Sequence, residues 1–327
     1  KPASFALSNK PININAHYRA NNYNFVAYWG GWSAYSLKDL AQTKVNVVDL
    51  AFANIVGAAG KYKVDTSVSG HITDVPQIGT QMWPSYIEWT KYAYDHPQTK
   101  FMLSVGGATF HAIWTHVLTA QSVTPIAKAI VAKLQTAYPV YSGRFAYAKD
   151  QLGTVKLSGV DIDAEAGGAR ISAQQAKNIA MLINEIKRLD PNTLVTLAGF
   201  SVGADPDNNQ CTVPGSVHCG ETIPILQQAG KRLAWVNVMA YDAGEQYAQH
   251  RYKEAMANYA KYLGKTRAYL GLDLQQQWGV PQPETPEQLA AKAKWAVQDG
   301  YGGIMFWAIL NNNPGPYVYL NKISDGL

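Results

Sequence analysis

Short apolar runs rich in β-branched and aromatic residues recur along the chain, at residues 25–29, 45–52, 100–105, 155–163, 193–200, 234–241, 267–273 and 303–307. Most are continuously apolar rather than alternating, which is the pattern of strands covered on both faces. Segments with helical periodicity lie between them. Ser172-Ala173-Gln174-Gln175 is a capping-box pattern, and Ala176, Ile179, Ala180, Ile183, Ile186 and Leu189 then repeat at three and four until Asp190-Pro191 stops the helix. Thr285-Pro286-Glu287-Gln288 repeats the logic, with proline at the first helical position and Gly300 as the terminator. Residues 121–138 and 249–263 read as further amphipathic helices.

Eight β/α units in 327 residues predict an α/β fold, a (β/α)8 TIM barrel in a single domain. A doubly wound open sheet is the competing architecture, but no Gly-x-Gly-x-x-Gly follows the first strand. Residues 1–22 form a polar lead-in and 23–327 the barrel. The seventh connection, residues 274–284, is too short to hold a large insertion, whereas 53–80 and 201–221 are long loops after the second and fifth strands. Loops in those positions build the active face of such barrels.

The fourth run carries Asp161, Asp163 and Glu165 at alternate positions, before Gly167-Gly168. Alternate residues of a strand share a face, so these carboxylates form one row, neighbours roughly 6.5–7 Å apart. Like charges in a poorly solvated row resist ionising together, so at least one keeps its proton at neutral pH. A row holding both a protonated and an ionised carboxyl group is suited to acid catalysis.

Composition narrows the field. Nine Trp and 20 Tyr suit a groove that stacks on the apolar faces of sugars. A formal charge of +5 without a dense basic run argues against a nucleic-acid partner. No apolar run is long enough for a membrane span. The opening Lys1-Pro2-Ala3-Ser4 has no long apolar segment behind it, which is also how a chain looks after a signal peptide is removed. Cys211 and Cys219 share one polar loop. A disulfide there would stabilise by about 2–3 kcal/mol and fit a secreted protein, and two free thiols are the alternative.

The acidic strand and three other motifs resemble the family 18 glycoside hydrolases, which include chitinases and endo-β-N-acetylglucosaminidases. The family's Asp-x-x-Asp-x-Asp-x-Glu strand reads here Ser158-Gly-Val-Asp161-Ile-Asp163-Ala-Glu165. Its Ser-x-Gly-Gly matches Ser104-Val105-Gly106-Gly107, its Met-x-Tyr-Asp matches Met239-Ala240-Tyr241-Asp242, and Trp307 stands at the end of the eighth strand. The resemblance spans all eight units. Ser158 departs from the usual Asp, and Ala164 from the Trp of many members. Ser158 cannot share a proton as a carboxyl would. Ala164 points away from the acidic row, towards the packing behind the barrel wall.

The resemblance implies an endo-acting chitinase that retains anomeric configuration through assistance by the substrate's own acetamide. Glu165 would be the acid and base, Asp163 would orient the acetamide, Asp161 would back the pair, and Tyr241 would hold the acetamide oxygen. Trp307 would be the floor for the sugar, with Asp242 on its hydroxyls and Met239 beneath. Tyr28 and Phe52 are the foremost candidates to stack on sugar among the strand-end aromatics, which also include Trp29, Trp32, Trp114 and Trp278. Gly106 and Gly107 would allow either substrate approach or close chain packing. No cofactor or metal is implied, and a monomer is expected. The rival readings are an endo-β-N-acetylglucosaminidase acting on N-glycan cores and a carbohydrate-binding relative without activity.

Overall fold

The computed structural model describes residues 23–206, 211–242, 251–274, 283–311 and 314–327. The expected lead-in, residues 1–22, and Trp278 lie outside them. Eight parallel strands close on themselves in the order β1 (Asn24–Gly30), β2 (Val47–Ala58), β4 (Lys100–Gly106), β7 (Gly159–Asp163), β8 (Leu194–Phe200), β9 (Val236–Met239), β10 (Ala268–Asp273) and β11 (Gly303–Ile309). β11 pairs with β1, which completes the ring. This is the single-domain (β/α)8 barrel that the hydrophobic pattern predicts.

Helices α1 (Pro84–Asp95) to α7 (Pro316–Gly326) follow the second to eighth barrel strands, and a short 3-10 helix, Leu37–Gln42, follows the first. Both predicted capping boxes form, Ser172 with Gln175 opening α3 (Ala173–Leu189) and Thr285 with Gln288 opening α6 (Pro286–Gln298). The outer core lies between strands and helices and takes in Trp29, Trp114 and Ala164. Ala164 therefore packs behind the barrel wall, and Trp29 and Trp114 offer no surface to a sugar.

Three expectations about local structure are corrected. Residues 53–80 are not all loop, because β2 runs on to Ala58 and turns back as β3 (Lys61–Asp65). Ala59 and Gly60 make that turn with positive φ. The helix expected over 121–138 is α2 (Val123–Gln135), and Tyr138 already belongs to β5 (Tyr138–Tyr141). The run 155–163 is two elements: β6 (Gln151–Val155) pairs antiparallel with β5, and the barrel strand starts only after Ser158. Val155 and Leu157 made the junction look continuous, but β6 is a half-exposed strand of a hairpin outside the barrel.

Candidate active site

Inward-facing residues of a parallel barrel stack in layers, and here the middle layer is polar. Register sets Ser104, Asp161 and Thr196 side by side on β4, β7 and β8, and Tyr28 beside Asp49 on β1 and β2. Asp161 is fully buried. Its Oδ2 accepts from the Tyr28 hydroxyl at 2.8 Å and from Ser104 Oγ at 2.8 Å, and its Oδ1 accepts from Thr196 Oγ1 at 2.7 Å. Burial pushes its carboxyl up, and the three donors pull it back towards the ionised form.

One step towards the mouth, Asp163 is also buried, but its Oδ1 has no hydrogen-bond partner among the described residues. Burial drives it well above the usual carboxylate range, and the charges of Glu165, Asp161 and Asp49 add to that. Glu165 stands half-buried at the end of the row. Burial raises it as well, while the Ala108 backbone amide and the His218 ring act in the opposite direction. The three carboxylates therefore form an ordered gradient: a fully bonded acid at depth, a buried acid with one unpartnered oxygen above it, and a half-buried acid at the mouth.

The other predicted residues gather around that mouth. Tyr241 is half-buried, and burial, followed by the charges of Asp273, Asp163, Glu165 and Asp242, holds its hydroxyl protonated well past its ordinary range. Asp242 is exposed beside it, with φ of 57°. Met239 packs in the inner core with Phe52, and Trp307 packs against that core. Trp307 stacks on Phe52 at 5.5 Å and 25°, and meets Tyr28 edge-on at 5.5 Å. The Ala51–Phe52 and Trp307–Ala308 peptide bonds are cis. Tyr28 thus serves Asp161 as a donor rather than offering a stacking face. Trp32, in contrast, is exposed and lies 6.5 Å from Phe52.

The two glycines are explained by protein packing. A Cβ on Gly106 would sit 2.2 Å from the Asp163 carbonyl oxygen, and one on Gly107 would sit 2.8 Å from the Phe52 ring. Gly107 N–H donates to the same Asp163 carbonyl at 3.0 Å. These contacts pin the end of β4 against the acidic strand.

Several site residues escaped the sequence reading. Asp49 is a second fully buried acid below the row. Its Oδ2 accepts from Asn237 Nδ2 at 3.4 Å, and Asn237 Nδ2 also lies 3.2 Å from the Tyr28 hydroxyl. Burial, and then Asp161, push Asp49 well above the usual range. The signal was an acid inside one apolar run, 45–52, and a lone amide inside another, 234–241. The loop after β8 brings His218, which stacks on Phe200 at 4.0 Å and bonds Glu221 at 3.1 Å, close enough to act on Glu165. Glu221 also accepts from Ile171 N–H at 3.0 Å, tying this loop to the one that follows Glu165. Asp273 ends β10 near Tyr241.

The bridge expected between Cys211 and Cys219 is not formed, and both residues stand as thiols. Their sulfurs and an Asp205 oxygen lie within 4.8 Å of one another, whereas a disulfide needs about 2.0 Å. Asp205 organises this loop instead. It accepts from Thr212 N–H at 2.7 Å, from Thr212 Oγ1 at 2.5 Å and from Asn258 Nδ2 at 2.7 Å, so its oxygens are already occupied. Among the described residues, no helix is long and apolar enough to cross a membrane.

Comparison with known proteins agrees with this fold. No curated protein sequence matches the chain at a significant level. Solved structures do match over nearly its whole length. The catalytic domain of a psychrophilic chitinase B from Arthrobacter TAD20 superposes with a TM-score of 0.67 at 15% identity, covering 94% of this chain and 95% of that one. A chitinase from Pseudoalteromonas aurantia gives 0.63 at 16%, covering 93% and 100%. Human YKL-39, described as a pseudo-chitinase with retained chitooligosaccharide binding, gives 0.63 at 12%, covering 93% and 99%. At such identities these likenesses speak for the fold. The sequence model of glycosyl hydrolases family 18 matches residues 24–278, from the first barrel strand past the seventh. The chain belongs to glycosyl hydrolases family 18.

Proposed function

We propose that the chain is an endo-acting chitinase, hydrolysing β-1,4-linked N-acetylglucosamine polymers with retention through substrate assistance. The observation that carries this reading is the gradient of the acidic row, with Asp161 fully hydrogen-bonded, Asp163 Oδ1 without a partner among the described residues, and Glu165 at the mouth. Glu165 gives its proton to the glycosidic oxygen as that bond to the anomeric carbon breaks. The acetamide oxygen of the same sugar attacks the anomeric carbon and forms an oxazolinium ion. Asp163, turned from the row towards the ligand, accepts the acetamide N–H and offsets the developing positive charge. Glu165, now a carboxylate, takes a proton from the water that opens the ring. Tyr241 donates to the acetamide oxygen, and the exposed side of Trp307 supports the sugar.

The short seventh connection supports an open groove and internal cleavage. The presence of Glu165, Asp163 and Tyr241 together favours hydrolysis over simple binding. In this reading the protein works outside the cytoplasm as a monomer. Product analysis tests it, with chitin oligomers and a high-mannose glycopeptide offered side by side. Release of short N-acetylglucosamine oligomers supports it. Trimming of the glycopeptide alone would reassign the chain to N-glycan cores, and turnover of neither would make it a binding protein.

A further inference from the structure

The parallel register of β7 and β8 sets Asp163 beside Ala198. Two residues further along each chain, Glu165 and Phe200 come to the same level of the barrel mouth. Phe200 packs against the inner core that Met239 and Phe52 share. The His218 ring lies on Phe200 at 4.0 Å and within 21° of parallel. An ionisable ring is thereby seated at the level of the outermost acid, one side chain away from the strand beside it.

That ring is held from several sides. Its Nδ1 lies 3.1 Å from Glu221 Oε2, and the Glu221 side chain is only 3% exposed. A carboxylate only accepts, so Nδ1 carries a proton in this pair. The same Glu221 oxygen accepts from Ile171 N–H at 3.0 Å. Arg170 Nη1 donates to the Val217 carbonyl at 3.3 Å and also to the Cys219 carbonyl, one on each side of His218. Gly220 N–H donates to the Val202 carbonyl at 2.9 Å, and Thr222 N–H to the Gly203 carbonyl at 2.8 Å. The ring is therefore tied both to the segment that follows Glu165 and to the end of β8. A partner fixed in this way needs no reorganisation when charge develops beside it.

The charged groups around it divide by sign. Glu165 faces His218 from the end of β7, Arg170 from the segment after it, and Glu221 from the same loop. Burial raises the Glu165 carboxyl, and Asp242 and Glu221 raise it further, while the Ala108 amide and the His218 ring work the other way. In the proposed reaction Glu165 becomes a carboxylate as the glycosidic bond breaks, and a positive ring nearby favours that form. The help matters most when the departing oxygen belongs to a sugar, which must be protonated to leave. It matters least for an aryl oxide, which leaves with little protonation.

We infer that His218, stacked on Phe200 and oriented by Glu221, is a positioning residue that sets the strength of Glu165 as an acid towards sugar leaving groups. The inference rests on the proposed role of Glu165. The proton passes from Glu165 to the glycosidic oxygen and is replaced from water. His218 exchanges none and acts only through its charge and its fixed place.

The test uses the full chain with two separate substitutions, His218→Phe, which keeps a ring on Phe200, and His218→Gln, which keeps a donor for Glu221. Neither carries the charge. The readout is kcat/KM, which reports the bond-breaking step, on a soluble chitin oligomer and on the para-nitrophenyl glycoside of chitobiose. Both variants should lose about tenfold on the oligomer, a fraction of what a general acid supplies, and stay within about twofold of the parent on the aryl glycoside. Removing a positive neighbour raises the Glu165 carboxyl, so the alkaline limb of the oligomer profile should move to higher pH in both. Equal losses on the two substrates, or an alkaline limb that stays in place, would overturn the inference. A loss in His218→Phe with His218→Gln like the parent would overturn it too, because the ring would then serve only to anchor its loop. Two variants indistinguishable from an active parent overturn it while leaving the proposed function standing. A parent inert on both substrates removes that function and this inference together.

Discussion

Asp161 and Asp163 are two residues apart on one strand, face the same way and are both buried, yet their surroundings differ in kind. The deep acid sits in a closed ring of donors from β1, β4 and β8. The upper acid has one oxygen with no partner among the described residues and negative neighbours above and below. Burial alone would push both towards the protonated form, so the donors make the difference. The deep acid has its oxygens matched by protein donors, and the acid nearer the mouth keeps an unmatched acceptor ready for a ligand.

Changes at the mouth should break that contrast most severely. Glu165→Gln removes the transferable proton and should lower kcat on chitin oligomers by about 10³-fold, within the range for general acids, while calorimetry shows oligomer affinity nearly unchanged. A loss of affinity without a loss of rate would reject its role. Asp163→Ala leaves the acetamide unoriented and should cost about 10²-fold in kcat, since it removes one charge-stabilising group.

Changes at depth should sharpen the contrast with smaller effects. Thr196→Val keeps the volume but takes one donor from Asp161, which should lower kcat about tenfold and leave KM little altered. Asp49→Asn should act on stability. A buried acid raised in the folded state contributes stability that is full below the ordinary carboxylate range of about 4 and is lost as pH rises through the raised folded value. The wild-type melting temperature should therefore fall more steeply from acid to neutral pH than that of the variant. The gap should reach about 2–6 °C at neutral pH. Parallel melting curves across pH would show that Asp49 does not titrate in that window.

Much of this was legible in the chain because barrel strands are covered on both faces and so stand out as apolar runs. The carboxylate row was readable because its spacing converts directly into a shared face, and the Met239–Asp242 segment because it resembles a family motif at a strand end. The β5–β6 hairpin was hidden because β6 reads straight into the barrel strand through Val155 and Leu157. The ring around Asp161 was hidden for another reason. Its members come from separate strands, and only barrel closure and register bring Tyr28, Ser104 and Thr196 onto one carboxylate. Asp49 and Asn237 left a fainter mark, polar residues within otherwise apolar strands that composition alone treats as noise. His218 comes from a loop whose path toward Glu165 no periodicity encodes.

The central claim is that Glu165 donates the proton while the substrate's own acetamide attacks the anomeric carbon. Proton NMR of the first products from a soluble chitin oligomer, recorded before mutarotation, tests it most directly. New reducing ends appearing in the β configuration, and their disappearance in Glu165→Gln, are the predicted result. New ends appearing in the α configuration would contradict the account.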